Sequence, residues 1–504
     1  MEELKHKKTA VALIAVIIYA FITLILVFHH EIWADEAQVW MLCKYISVSE
    51  LFPRLINEGH PPLFYLLVFP FAKIFNNIIY MQLICWLSCV FAVFLLWRYT
   101  LFNNLTKAVI TLSAPFIYFF PVIARSYSLI PLFVILLAIF HDKTQKHPFI
   151  YCALLIMLTH THVIMAMFTF VLFMRFFYLN IFIPFKNKQS VDKASVIALI
   201  VTFAGFAGLF VQLMGTPDSN IYLGFKSGNK LIAALRIFLG FIFNSLDAFY
   251  MRTHINYFNI WTISFCVLFT VSFLFAVFAL FKNSKKLFYI FLAGGLFQFL
   301  IYIFYYNRLV LPTRIFSFYI LLLFSYIVLF NRNQFKETGL FKKKKNVEII
   351  FMIFFLTMLY NGYKSSVLDF VYDYSGSKKL AGFIKANYAK DSPYIFTDAT
   401  NAVVAVNYYL DPDNNIYWTT TGKRFKYSIW TQDIIEVFDE NAWGSYCRQI
   451  RKTDKKTPLF VIERYDPLGF YYGKYKDWKD FELVYITGNT LEYFENFRLF
   501  KYKY

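Results

Sequence analysis

The chain has 504 residues, 59% hydrophobic and 16% charged, against about 25% charged in soluble domains, which excludes an ordinary soluble globular protein. A net charge of +19 would suit nucleic acid, but the lysines cluster in short loops between apolar runs, so they act as topology signals and no nucleic-acid partner is expected. Several apolar runs reach the roughly 20 residues a helix needs to cross a bilayer, so the expected class is an α-helical polytopic membrane protein.

Lys5, Lys7 and Lys8 place the N-terminus inside; residues 9–28, which lack a small-residue cleavage site, form a retained helix leading outward. That helix delivers "HHEIWADEAQVW" to the outer side. Residues 61–75 are short, contain Pro70 and, if they spanned, would leave Arg98 and Lys107 outside, so they are expected to lie in the outer interface. The second span is 80–97; then 108–122 runs out, 127–140 in, 148–159 out, 163–180 in, and 194–213 out to a long loop at 215–257. Residues 258–281 return, 287–306 go out, 311–330 return, and 347–363 go out a last time. This pattern has about eleven spans, with the lysine-rich short loops inside and outer juxtamembrane helices.

The expected organisation is a transmembrane module over 1–363, with a first outer loop at 29–78, and a small extracytoplasmic α/β domain over 364–504. In the latter, "SGSKKLAGFIKANYA" has helical spacing, "SPYIFTD" and "TPLFVIERY" read as strands, and "LDPDNN" as a turn. Of six cysteines, four lie in apolar segments and no pair has zinc-site spacing; Cys43 and Cys447 fall on the outer side, where pairing is chemically permitted.

The same topology gathers polar residues on the outer face. The first loop holds His29, His30, Glu31, Asp35, Glu36, Glu58 and His60; "ARSYS" adds Arg125 and Tyr127, "THTH" adds His160 and His162, and "NRLVLPTR" adds Arg308 and Arg314. A charge near lipid costs roughly 2.5–3.5 kcal/mol at a helix centre, so such groups sit at interfaces or line cavities. Singly each has a plain structural explanation: Asp35 and Glu36 as helix caps, the arginines snorkelling or on headgroups, the histidines satisfied by backbone. Together they outline an outward-facing polar cavity.

"ADEAQVW", followed about 20 residues later by "EGHPPLFYLL" and then by "ARSYSL", resembles the bacterial membrane glycosyltransferases of the GT-C superfamily, relatives of protein O-mannosyltransferases and lipid A aminoarabinose transferases. The resemblance covers 1–363 in layout and is most specific over 31–67; 364–504 matches only as a variable outer domain. It implies a catalytic carboxylate in the first outer loop, a polyprenyl-phosphate-linked sugar donor, and a glycan, lipid or protein acceptor outside the cytoplasm. The sequence reads Ala-Asp-Glu-Ala where an Asp-x-Asp would suggest metal, which favours metal-independent transfer and leaves a divalent ion open.

Sugar transfer needs a base for the acceptor hydroxyl, worth a factor of roughly 10²–10⁴. Asp35 is the expected base, with Glu36 orienting the acceptor or Asp35 itself. Arginine forks suit the leaving phosphate, so Arg125 with Arg308 or Arg314 are expected to bind it. His60, Tyr127, His160 and His162 complete the expected donor and acceptor contacts. A transporter or flippase of lipid-linked sugars would also want arginines and a polar cavity, but more often shows repeated halves and mid-membrane polar groups. An O-antigen ligase or polymerase would share the donor, and an assembly protein would bind glycan without catalysis.

Overall fold

The computed structural model describes residues 2–214, 230–246, 260–306, 312–335, 339–388, 393–397, 402–410, 416–418, 424, 426–429, 440–464, 478–488, 490–492 and 495–504. The first helix, α1 (Glu2–His29), is followed by three short ones: α2 (Ala34–Tyr45), α3 (Val48–Glu58) and α4 (Leu63–Ile74). At 12 residues, α4 is about 18 Å long, well short of a hydrocarbon core of about 30 Å. Next come α5 (Ile79–Tyr99) and α6 (Asn104–Leu112), then α7 (Ile130–Phe140), α8 (Pro148–Thr159), α9 (Ala166–Phe177), α10 (Ile183–Lys186) and α11 (Lys193–Leu213). The bundle is completed by α12 (Lys230–Leu246), α13 (Ile260–Asn283), α14 (Lys285–Ile301), α15 (Pro312–Arg332), α16 (Lys344–Leu356) and α17 (Leu359–Val371).

Eight helices among the described residues are long and apolar enough to cross a membrane: Thr9–His29, Ile79–Tyr99, Val163–Lys186, Lys193–Leu213, Ile260–Asn283, Lys285–Phe304, Arg314–Arg332 and Lys344–Val371. The other three expected spans, 108–122, 127–140 and 148–159, are shorter pieces. In the first, α6 stops at Leu112, a π-helical turn covers Pro115–Phe119, and irregular chain follows from Pro121. Proline removes a backbone donor and collides with the preceding turn, so a run with two prolines does not continue as one α-helix. Its freed backbone is met by protein: Ala114 N–H donates to the Met358 carbonyl at 3.1 Å. Residues 230–246, expected within a long loop, form α12, whose Phe241 carbonyl accepts from Tyr319 Oη at 3.0 Å. The last span runs past 363, as α17, to Val371.

The C-terminal domain carries α18 (Ser377–Tyr388), α19 (Val404–Leu410) and α20 (Glu440–Thr453) around five strands: β1 (Tyr394–Thr397), β2 (Ile416–Trp418), β3 (Leu459–Arg464), β4 (Phe481–Ile486) and β5 (Phe497–Tyr502). The order is β2-β1-β3-β5-β4, with β1 parallel to β2 and β3, and β5 antiparallel to β3 and β4. Period-two alternation divides the sheet. Ile395, Phe460, Ile462 and Leu499 join a core continuous with the helical bundle, while Phe396, Leu459, Val461 and Phe500 pack with Trp443 and Cys447 of α20. The expected helix at "SGSKKLAGFIKANYA" and both expected strands are present, whereas most of the "LDPDNN" turn lies outside the described residues. Cys43 and Cys447 are both buried free thiols, in separate cores, which overturns their pairing.

Gly362 lets α17 touch the broken segment: a Cβ there would lie 2.6 Å from Ile117 Cγ2 and 3.0 Å from the Ala114 backbone. Overpacking of this kind costs about 1–3 kcal/mol. Gly362→Ala should therefore lower the thermal midpoint of the detergent-purified protein, and an unchanged midpoint would refute the close contact.

Candidate active site

The first loop folds back on itself because each short helix ends in a specific device. Gly59 closes α3 in the left-handed region (φ 65°), a conformation costly for other residues. The turn brings His60 and the two following prolines against the 160–162 corner, where Leu63 N–H donates to the His160 carbonyl at 3.2 Å. At the start of α2 the N-cap position is Trp33, not Asp35, and Trp33 has no side-chain acceptor to give. Other groups serve the free amides: Glu36 Oε2 accepts from Trp33 N at 3.3 Å, and Glu495 Oε1 from Ala34 N at 2.7 Å. Asp35 is thereby released from capping. Its Oδ2 pairs with Arg125 Nη1 at 2.7 Å, and its side chain keeps 36% exposure against 9% for the arginine.

Arg125 is the hub. It stands in extended conformation just before Ser126–Leu129, a 3-10 turn leading into α7. Its Nη2 lies 3.4 Å from His60 Nε2, and its Cζ sits 5.9 Å from the Trp33 ring centre, over the face of the indole. His60 Nδ1–H donates to the Glu58 carbonyl at 2.7 Å, which leaves the Nε2 lone pair towards Arg125. Burial and the Arg125 charge push the His60 pKa down to about 4, so the ring is neutral at physiological pH. His162 stands edge-on to His60 at 5.8 Å and stacks on Tyr127 at 4.5 Å. Tyr127 Oη accepts from Arg314 Nε at 2.7 Å, which brings the second arginine into the group. His162 Nδ1 accepts from Ile164 N at 3.2 Å, so its proton is on Nε2, a buried donor without an acceptor among the described residues. An orphaned buried donor costs about 1–3 kcal/mol, and here the charges of Arg314 and Arg125 act on the ring.

Of the expected site residues, Asp35, His60, Arg125, Tyr127, His162 and Arg314 are brought together. Arg308 lies outside the described residues. His160 turns the other way, its Nε2 donating to the Gly205 carbonyl of α11 at 2.9 Å. Glu36 is fully buried and does not meet Asp35: its Oε1 accepts from Ala124 N at 2.5 Å and its Oε2 faces His30 Nε2 at 3.2 Å. His30 Nδ1 bonds Asp369 Oδ2 at 2.9 Å, and Tyr118 Oη donates to the same oxygen at 2.9 Å. This buried chain ties α1, α2, the 113–125 segment and α17. Sequence reasoning placed His30 in the loop without assigning it a role and missed Asp369, which lay beyond the expected end of the last span. The signal was there: Asp369 is an acid in an otherwise apolar stretch, "VLDFV". Among the described residues no group of three or more His, Cys, Asp or Glu is placed to hold a metal ion.

His30 carries the proton linkage of this chain. Burial opposes its charge, but Asp369 and Glu36 outweigh burial and hold its pKa up, from 6.5 to about 10. A histidine raised in the folded state adds stability that is complete below its unfolded pKa and is lost as pH rises through the folded one. The thermal-midpoint gap between wild type and His30→Gln should therefore be wide at about pH 6 and narrow towards about pH 10. A gap independent of pH would rule out the charged pair.

No protein-family model matches the chain, and no curated protein does. Among solved structures, ArnT from Cupriavidus metallidurans in the apo state is similar over 98% of this chain and 98% of that chain, at 10% identity and TM-score 0.52. The same protein bound to undecaprenyl phosphate gives 9% identity and TM-score 0.48 over the same shares. The chain therefore shares the fold of that ArnT structure, as its layout, helices long and apolar enough to cross a membrane with a small C-terminal sheet domain, led us to expect.

Proposed function

We propose that this chain is a membrane glycosyltransferase that moves a sugar from a polyprenyl-phosphate-linked donor to an acceptor hydroxyl on the outer side of the cytoplasmic membrane, with inversion at the anomeric carbon. The observation that carries the reading is the separation of roles among three neighbouring carboxylates. Glu36 and Asp369 are sealed in with His30, while Asp35 is part-exposed and held on Arg125. A base must reach both its substrate and solvent; a structural carboxylate need not.

In this reading the donor phosphate takes up hydrogen bonds from Arg125, Arg314 and the orphan His162 Nε2–H. It competes with Asp35 for Arg125 and so frees the Asp35 lone pair for the acceptor. Asp35 accepts the acceptor's hydroxyl proton as that oxygen attacks the anomeric carbon from the face opposite the phosphate. The bond from anomeric carbon to phosphate oxygen breaks, and its electron pair leaves on the lipid phosphate. The guanidinium groups balance the growing charge, and neutral His60 keeps Arg125 oriented. Residues 29–78 and the domain over 364–504 lie outside the cytoplasm, the acceptor being a glycan, a lipid or a protein.

Asp35→Asn keeps shape and removes the base. With a radiolabelled polyprenyl-phosphate sugar and purified protein, transfer should fall by roughly 10²-fold or more with donor binding retained. Arg125→Ala should weaken donor binding by about 10–100-fold, as loss of charge-assisted hydrogen bonds worth about 1.5–3 kcal/mol requires. Transfer within a few-fold of wild type in Asp35→Asn would sink the assignment.

The orientation has its own check. Lys378, whose side chain is 59% exposed in the C-terminal domain, and exposed Lys286, at the start of α14, sit on opposite sides in this reading. An impermeant thiol reagent applied to intact cells should label Lys378→Cys and spare Lys286→Cys, and the reverse pattern would overturn the topology.

A further inference from the structure

The C-terminal domain reaches into the first turn of the helix that bears Asp35. Glu495 is 2% exposed, and its Oε1 accepts from Ala34 N, the first amide of α2, at 2.7 Å. Its Oε2 accepts from Ser375 Oγ at 2.5 Å and from Ser377 Oγ at 3.3 Å, so the carboxylate is fixed from behind. The backbone is clamped as well: Gly376 N–H donates to the Glu495 carbonyl at 3.0 Å, and Leu491 and Glu492 donate to the Asp373 and Tyr374 carbonyls at 2.9 and 2.7 Å. Further along α2, Gln38 exchanges two hydrogen bonds with the Ser428 backbone, at 3.0 and 2.8 Å. Just before the helix, Ile32 N–H donates to Tyr409 Oη at 3.0 Å.

A carboxylate borrowed from another domain is an uncommon way to serve a helix start; the usual acceptor is the N-cap side chain. Here Trp33 holds that position and has no oxygen. The arrangement has a geometric consequence. Asp35 follows Ala34 directly, so the group that fixes the Ala34 amide also fixes the direction in which the Asp35 carboxylate leaves the helix. Plain docking would not need a bond at this amide, since the Ile78 N–H to Tyr408 Oη bond of 3.2 Å and the Gln38–Ser428 pair already join the two parts.

We propose that Glu495 is a positioning residue for Asp35, and that the C-terminal domain thereby forms part of the active site. The inference rests on the glycosyltransferase reading for its activity arm, but not for its structural arm. Glu495→Ala removes the acceptor, Glu495→Gln keeps an oxygen for Ala34 N, and Tyr408→Phe removes a docking bond away from α2. Hydrogen exchange on the full-length purified protein reads the amides of residues 33–37, and sugar transfer reads kcat and KM. In Glu495→Ala, exchange should quicken by about tenfold and kcat should drop by about tenfold with donor KM within about twofold. Glu495→Gln should restore most of both, and Tyr408→Phe should change neither. Unchanged exchange in Glu495→Ala would overturn the cap. Faster exchange with unchanged kcat would overturn the positioning role, as would a Tyr408→Phe loss equal to that of Glu495→Ala. A wild-type protein without sugar transfer would sink the functional reading instead, while the exchange arm still decides whether Glu495 holds the helix start.

Discussion

The Glu36 carboxylate is the joint on which the site depends. It has no solvent exposure, and each oxygen is committed: Oε1 to the Ala124 amide, Oε2 to His30 and the Trp33 amide. Burying a carboxylate is costly unless it is paired and hydrogen-bonded, and the cost of removing one partner is far larger than the net gain of the pair. That asymmetry locks three segments together. The loop helix α2 cannot move from the 123–125 strand-like stretch without stranding Glu36, and neither can leave α1 and α17 without stranding His30 on Asp369. Arg125 is the residue after the amide that Glu36 holds, and Asp35 is the residue before Glu36. Their ion pair is thus set by a buried bond next door, not by their own partly exposed attraction, which solvent would weaken.

The membrane explains why so much irregular chain gathers at one end. Hydrocarbon offers no hydrogen bonds, so non-helical backbone survives only where protein covers it. The interrupted 113–125 segment is covered by α17 and by the loop helices, and in exchange it places Arg125 and Tyr127 beside His162 and Arg314. At the other end of α7, Asp142 pairs with Arg332 and Arg175 at 2.6 and 3.0 Å. That cluster pins α9 and α15. In the Arg125 cluster, His162 Nε2–H has no acceptor among the described residues, and Asp35 keeps 36% exposure.

Much of this was legible in the sequence, for definite reasons. Long apolar runs with basic loops mark helices whatever their packing, so the eight helices long and apolar enough to cross a membrane and the α/β tail follow from composition and periodicity. Runs interrupted by Pro115 and Pro121 mislead, because hydropathy counts apolar residues and ignores the missing donor. α12 was hidden by its place between polar stretches. For the site, the joint presence of Asp35, Arg125 and Arg314 on one face came from charge sorting alone. What spacing could not separate was Asp35 from Glu36, since neighbours share composition; only the cap at Trp33 and the contact with His30 assign them different surroundings. His160 and His162 present the same difficulty two residues apart. Glu495, 460 residues from Asp35 in a domain of different composition, carries no local signal at all.

In the proposed function, the Asp35–Arg125 pair marks the place where a lipid phosphate delivers its sugar. The most direct test is the position of the phosphorus in a structure of this protein with a bound polyprenyl phosphate. Phosphate oxygens should lie at hydrogen-bond distance, about 3 Å, from Arg125 or Arg314 and within reach of His162 Nε2, with Asp35 displaced from Arg125. A phosphate seated instead at the opposite end of α7, against Arg175 and Arg332, with the Asp35–Arg125 pair undisturbed, would contradict it.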